Sequence, residues 1–241
     1  MVGTRKSLGE TRAGDVLQRL RLDIVSCVLK PGSRLRFESL KVMYAVSFST
    51  LREALSRLVA EGLVIAEGQR GFVVAPLSLA DLQDLTDVRV LIEREALRLA
   101  IGRGDDGWEA TVLGAYHRMS RLQDRLGAEY YLSDEWATLH GDFHFALVSA
   151  CASPNLIEIR HKLYHQAHRY RRMSSQFRRK WREKDVEHRT LMEAVLARDP
   201  ERSASLIERH IRETTENLVN CAGHLFEPEA SAGRGGAVAA E

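Results

Sequence analysis

From Leu79 to Cys221 apolar residues return at helical spacing almost without interruption, and no run alternates with the period of two that a half-buried strand needs. A stretch with that single period can bury its apolar stripes only by packing helix on helix, which restricts this part of the chain to a helical bundle. Gly102 with Gly104, Gly127, Ser153-Pro154, Ser174-Ser175 and Asp199-Pro200 break the pattern into helices expected over 79–101, 106–126, 134–151, 155–174, 179–198 and 201–221. At the last break the aspartate caps and the proline takes the first helical position, where its missing N–H is no loss. About six helices joined by short turns make an antiparallel all-α bundle.

Residues 13–76 read differently. Val16, Leu17, Leu20, Ile24 and Val28 mark a helix that Lys30-Pro31-Gly32 breaks, and a short helix fits 37–45 with Leu40 and Met43 inward. Leu51, Ala54, Leu55, Leu58 and Val59 form the stripe of a third helix that stops at Gly62. Two strand-like runs follow, Leu63–Ala66 and Phe72–Ala75, joined by Glu67-Gly68-Gln69-Arg70-Gly71, whose glycines suit a tight hairpin. Three helices and a hairpin make a winged helix-turn-helix. The fold expected is therefore mainly α, with this winged domain over 13–76 and the bundle over 77–224, linked at Pro76-Leu77-Ser78. Residues 1–12 read as a flexible leader, and 225–241, Gly/Ala-rich and without periodicity, as a disordered tail.

Charge separates the same two regions. Lys and Arg outnumber Asp and Glu by 12 to 7 in residues 1–76 and fall short of them by 23 to 26 beyond, so the positive excess sits in the smaller domain, as contact with a polyanion would want. A helix-turn-helix enters the major groove with the first turn of its second helix. Here that turn offers Ser47, Phe48, Ser49, Thr50 and Arg52: hydroxyls for phosphate oxygens and a guanidinium able to grip a guanine edge. Arg57 lies further along, Arg34 and Arg36 stand at the entry to the preceding helix, and Arg70 with Gly71 at the hairpin tip can approach a neighbouring groove. The bland alternative is a helical hairpin whose serine is only an N-cap.

Apolar runs fall far short of the ~20 residues a membrane span needs, and the N-terminal residues carry no apolar signal region, so a cytoplasmic protein without membrane contact is expected. Cys27, Cys151 and Cys221 are odd in number and widely spaced, which favours free thiols over a disulfide framework or a cysteine zinc site.

The histidines are more informative. His140 and His144 lie one turn apart on one helical face. His188 and His210 are each 11 residues from Asp199, the turn between two helices, so in an antiparallel hairpin both sit about 16 Å from the loop at ~1.5 Å per residue. Two pairs at matched depth can close on one divalent ion, and four imidazoles favour zinc or nickel over a hard cation. Alternatively they are core histidines satisfied by polar neighbours. His161, His165 and His168 on the adjoining helix belong to the pocket or to the surface.

The segment "KPGSRLRFESLKVMYAVSFSTLREALSRLVAEGLVIAEGQRGFVV" resembles the winged-helix domain of GntR-family bacterial transcription regulators. "VRVLIEREALRLAI", "DFHFAL", "EHRTLMEAVLARD" and "RHIRETTENL" resemble the helical ligand-binding (FCD) domain of that family's fatty-acid-regulator-type members. The resemblance spans about residues 13–220. "LVIAEGQRGFVVAPLS", "RGDDGWEATVLGAYHRM" and "HRYRRMS" are most similar to its carbon-starvation-induced, glutarate-responsive repressors. It implies a homodimer on a pseudo-palindromic double-stranded DNA operator, with 77–224 serving effector binding and dimerisation. It also implies a metal held by His140, His144, His188 and His210, the first standing where many members have Asp. A small carboxylate, a dicarboxylate such as glutarate, would then bind beside the metal with Arg89 offering its guanidinium, and Arg169 and Tyr170 lining the same cavity. Against this, Arg89 can instead bridge Glu93 one turn on. Phe48 stands where many members have Arg. Three other readings remain: a purely structural metal, a fatty acyl thioester effector, or a helical-bundle metalloenzyme. The last wants paired Glu-x-x-His motifs, of which only Glu158 to His161 is present.

Overall fold

A computed structural model describes residues 8–175 and 184–226. Its elements are α1 (Leu8–Val25), β1 (Arg34–Leu35), α2 (Phe37–Tyr44), α3 (Phe48–Ala60), β2 (Val64–Ala66), β3 (Phe72–Val74), α4 (Leu79–Arg103), α5 (Asp106–Leu126), α6 (Asp134–Val148), α7 (Pro154–Ser175), α8 (Lys184–Leu196) and α9 (Pro200–Ala222). The described chain is mainly helical: a winged helix-turn-helix followed by a six-helix domain.

In the winged domain Leu20, Ile24, Leu51, Leu55, Leu58 and Leu63 are fully buried together, so α3 is fixed by its apolar stripe on α1 while its first turn stays outside. Truncating one such leucine to alanine costs about 2–5 kcal/mol through lost burial and the cavity left behind. The sheet has the order β1-β3-β2, both pairs antiparallel, with Leu35 and Ala66 opposite Phe72. Gly62 ends the approach from α3 at φ +71°, a left-handed conformation in which a side chain is strained.

The helices of the second domain start on side-chain caps, among them the expected Asp199. The side chains of Ser78, Asp105 and Asp199 accept hydrogen bonds from the backbone N–H of Asp81, Trp108 and Arg202 at 3.0, 2.8 and 3.0 Å. Their core gathers Trp108, Val112, Met119, Phe143, Leu147, Leu191, Val195, Ile207 and Ile211.

Five expectations are corrected. α1 begins at Leu8, inside the segment read as a leader, because nothing between Leu8 and Val16 is a proline that would stop a helix already nucleated on the core; residues 1–7 lie outside the described residues. α1 also ends at Val25, since Cys27 is left-handed (φ 60°), and Val28 is exposed. On α2, Tyr44 rather than Met43 joins Leu40 in the core: both spacings are compatible with one helical face, the aromatic ring takes the buried place, and Met43 is 52% exposed. α6 stops at Val148 and continues only as a 3₁₀ turn to Cys151. Phe226, assigned to the tail, is buried against Tyr170 with ring centroids 5.2 Å apart, since an aromatic ring gains more from burial than this short extension costs. Residues 179–183 of the fifth expected helix and 227–241 of the tail lie outside the described residues.

α7 ties the two domains together. The Gln166 amide donates to the Glu61 carbonyl at 2.9 Å, the Arg169 guanidinium to the Ala75 carbonyl, and the Cys27 thiol lies 3.8 Å from the Arg169 carbonyl. Leu77, Leu82, Leu85, Ala167, Tyr170, Leu218, Ala222 and Phe226 form a separate apolar cluster beneath the linker.

Candidate functional site

The four histidines singled out by spacing meet in the core of the second domain. His140 and His144 come from α6, His188 from α8 and His210 from α9, with exposures of 5, 6, 0 and 9%. One ring nitrogen of each lies within 4.8 Å of those of the other three. The Nε2 atoms of His140 and His144 are 3.1 Å apart. A tetrahedral ion bound at about 2.0–2.1 Å holds its nitrogens roughly 3.3 Å apart, so small ring rotations suffice. Burial, then the proximity of His210 and His188, holds the His144 imidazole well below its ordinary pKa and therefore neutral, the form that ligates. Glu187 faces His210 Nδ1 at 3.0 Å, and the Trp136 ring lies against His140 at 4.8 Å. The donor set fits a divalent transition metal.

Beside this cluster runs a second layer that spacing did not reveal. Glu93 bonds Arg160 at 2.9 Å, both side chains almost fully buried, and Arg160 also donates to the His144 carbonyl at 2.9 Å. The bridge considered between Arg89 and Glu93 is therefore replaced: the carboxylate turns to α7, where a buried guanidinium also reaches the backbone of α6. Arg89 keeps its Nε buried without an acceptor among the described residues. Burial, followed by the neighbouring Arg171, lowers its pKa to about 10, which still leaves it charged at neutral pH.

Arg169 and Tyr170, expected to line the effector cavity with Arg89, do not join this buried layer. Tyr170 donates to the Asp81 carboxylate (2.5 Å) with its oxygen 3.1 Å from the Ser78 carbonyl, and Arg169 reaches Ala75, so both serve the linker. Their position follows from helical phase: 160, 164, 168 and 171 share one face of α7, whereas 166, 169 and 170 lie on the other. Glu158 pairs with Lys162 at 3.0 Å and His161 is exposed, so the one Glu-x-x-His motif stands apart from the histidine cluster.

On the winged domain, Ser47 caps α3 by accepting from Thr50 N–H at 3.3 Å, and its hydroxyl lies 2.9 Å from those of both Ser49 and Thr50. Arg36, Arg52 and Arg70 are exposed and have no ion-pair partner among the described residues. Arg57 is bridged to Glu53 at 2.8 Å, and Arg34, on β1, lies 3.9 Å from Glu67. Gly71 is left-handed at φ +94°, which lets the wing turn sharply after Arg70. Phe48 is 48% exposed and stacks on Phe37 with centroids 4.2 Å apart, so one face of its ring is spent on packing.

Comparison with known proteins agrees with both halves. A family model described as bacterial regulatory proteins, gntR family, matches residues 12–74, and one described as the FCD domain matches residues 84–213. The chain is 46% identical to the uncharacterized HTH-type transcriptional regulator BphR of Paraburkholderia xenovorans over 80% of either protein. It is 40% identical to the HTH-type transcriptional repressor GlaR of Escherichia coli, over 80% of this chain and 89% of that one. Among solved structures, E. coli McbR/YncC superposes with a TM-score of 0.73 over 91% of this chain and 99% of that one; at 20% identity this concerns the fold alone. Among the described residues no helix is long and apolar enough to cross a membrane.

Proposed function

Because the chain belongs to the gntR family of bacterial regulatory proteins and carries an FCD domain, which makes it a transcriptional regulator rather than an enzyme, we propose that it is a metal-containing repressor released from its operator by a small carboxylate. The observation that carries this reading is the buried four-imidazole cluster together with Arg89, whose buried Nε has no hydrogen-bond partner among the described residues and which shares Arg160 and Arg171 as neighbours with His144. Zinc or nickel on His140, His144, His188 and His210 would supply a Lewis-acidic position for one carboxylate oxygen, and Arg89 a charged donor for an acid group of the same molecule. A dicarboxylate such as glutarate is the effector favoured, in keeping with the resemblance to glutarate-responsive repressors.

The chain acts as a homodimer in the cytoplasm, its two α3 helices entering successive major grooves of a pseudo-palindromic operator. Arg52 reads a base edge. Ser47, Ser49, Thr50, Arg34, Arg36, Arg57, Arg70 and Gly71 hold the backbone. Phe48 supports α3 through Phe37 and contributes its outer face alone. Release requires that the carboxylate bind more tightly to the conformation that holds DNA poorly. α7 lies between the two sites and is suited to carry that difference.

Operator release in a gel-shift assay, with metal-loaded protein against C4 to C6 dicarboxylates, tests the whole reading. Release by one of them at a concentration that saturates its binding is the expected result; indifference to all of them refutes the effector assignment.

A further inference from the structure

α7 presents Arg160, Tyr164, His168 and Arg171 along one face, four, four and three residues apart. Polar atoms of three of them, Tyr164 Oη, His168 Nδ1 and Arg171 Nη2, are buried and have no hydrogen-bond partner among the described residues, and Arg89 Nε is in the same condition. Leaving one such group unmet is costly, and four together in one place are not accounted for by packing. They are also neighbours. The Arg171 and Arg160 guanidiniums lie 4.8 and 5.9 Å from the Tyr164 ring centroid, the His168 ring lies 6.2 Å from it, and Arg171 acts electrostatically on both Arg89 and His168.

The charges do not cancel. Arg89 is acted on by Arg171 and Arg160 as well as by the Glu93 carboxylate, and Glu93 is already bonded to Arg160. Burial and Arg171 keep His168 neutral, so its ring offers a hydrogen bond without adding charge. The backbone has been cleared for this arrangement as well: a Cβ at Gly141 would stand 2.8 Å from the Tyr164 hydroxyl, so only glycine lets that hydroxyl sit against α6 one residue beyond His140.

We infer that Tyr164, His168 and Arg171, with Arg89, form an anion receptor on α7 that binds the second acid group of the effector and so selects dicarboxylates over monocarboxylates of equal length. This rests on the carboxylate reading above and adds to it residues outside the metal ligands. The metal-proximal acid group is common to both classes of acid; the α7 receptor is engaged by one class alone.

Isothermal titration of metal-loaded, full-length protein with glutarate and with pentanoate tests the inference. Wild type is expected to bind glutarate at least about tenfold more tightly, the worth of one charge-assisted hydrogen bond to a buried group. Arg171→Gln and Tyr164→Phe should each weaken glutarate by about tenfold while pentanoate binding stays within about twofold. Tyr164→Phe removes one oxygen atom and guards against a folding defect in the arginine variant. Equal binding of the two acids by wild type, unchanged glutarate binding in both variants, or equal losses for both acids overturns the inference while leaving the carboxylate reading intact. Binding of neither acid by wild type overturns both.

Discussion

His210 Nδ1 lies 3.0 Å from the Glu187 carboxylate across the α8–α9 hairpin. That contact commits Nδ1 and makes Nε2 the nitrogen that His210 can offer an ion. A carboxylate behind a ligating imidazole fixes its tautomer and raises its basicity.

Glu187→Ala should therefore weaken metal binding by roughly 10- to 100-fold, read by competition with a chelator of known affinity. His188→Ala combined with His210→Ala should strip the purified protein of metal, and stoichiometric metal in that double variant by elemental analysis would refute the four-histidine site. Because Trp136 packs on His140, added nickel should quench part of the tryptophan emission of wild type and not of His140→Ala.

Arg52, exposed at the start of the second turn of α3 without an ion-pair partner among the described residues, should matter for sequence and Arg70 for phosphate. Arg52→Ala is expected to cost about 1–3 kcal/mol on the specific operator and to relax preference at one base pair. Arg70→Ala should weaken all sequences alike and lower the salt slope by about one. Gel shifts over a salt series separate the two, and an Arg52 variant with unchanged affinity and preference would sink the recognition-helix assignment.

Burial, first, and then Arg21 push the His165 imidazole down to about 4, and burial with Arg171 holds His168 well below its ordinary value. Both are neutral in the folded state and gain protons on unfolding below about pH 6.5. In that window the unfolded chain binds more protons, so stability falls as pH drops from about 6.5 toward 4. Melting temperatures of metal-free protein should decline across it, and His165→Gln should flatten the decline. A slope identical to wild type would show that His165 does not contribute.

Gln166 donates across the domain boundary to the Glu61 carbonyl, just before left-handed Gly62. Gln166→Ala should leave operator and effector binding near wild type when measured separately, yet raise the effector concentration needed for release. Gly62→Ala places a Cβ 2.4 Å from the Gln166 amide nitrogen besides straining the backbone, and should cost about 1 kcal/mol or more in stability. Normal release in Gln166→Ala would move the coupling to other contacts of α7.

Periodicity was enough for the helices and for the β2–β3 hairpin, though not for the two-residue strand β1. Helical spacing, caps at Ser47, Ser78 and Asp199, and glycines at the hairpin are local effects decided within a turn or two of chain, and the helices of both domains follow from them. The histidine cluster was legible for a related reason. Positions one turn apart, or equidistant from a tight turn, fall side by side by helix geometry, although the meeting of the α6 pair with the α8–α9 pair depends on how those helices pack. The ends of elements were less so: Val28 and Phe226 depended on where a left-handed residue and a distant aromatic ring intervened.

Partners on helices not joined by a tight turn were beyond the reach of spacing. Glu93 has Arg89 at four residues and Arg160 at sixty-seven, and only packing of α7 on α4 selects the second. The same rotation of α7 about its axis sends Arg169 and Tyr170 to the linker and Tyr164, His168 and Arg171 to the buried cluster. The sequence by itself determined which residues share a helical face. Which face met the metal cluster and which met the DNA-binding domain was decided by tertiary structure, because a helix has one set of side-chain directions but many ways to be turned against its neighbours.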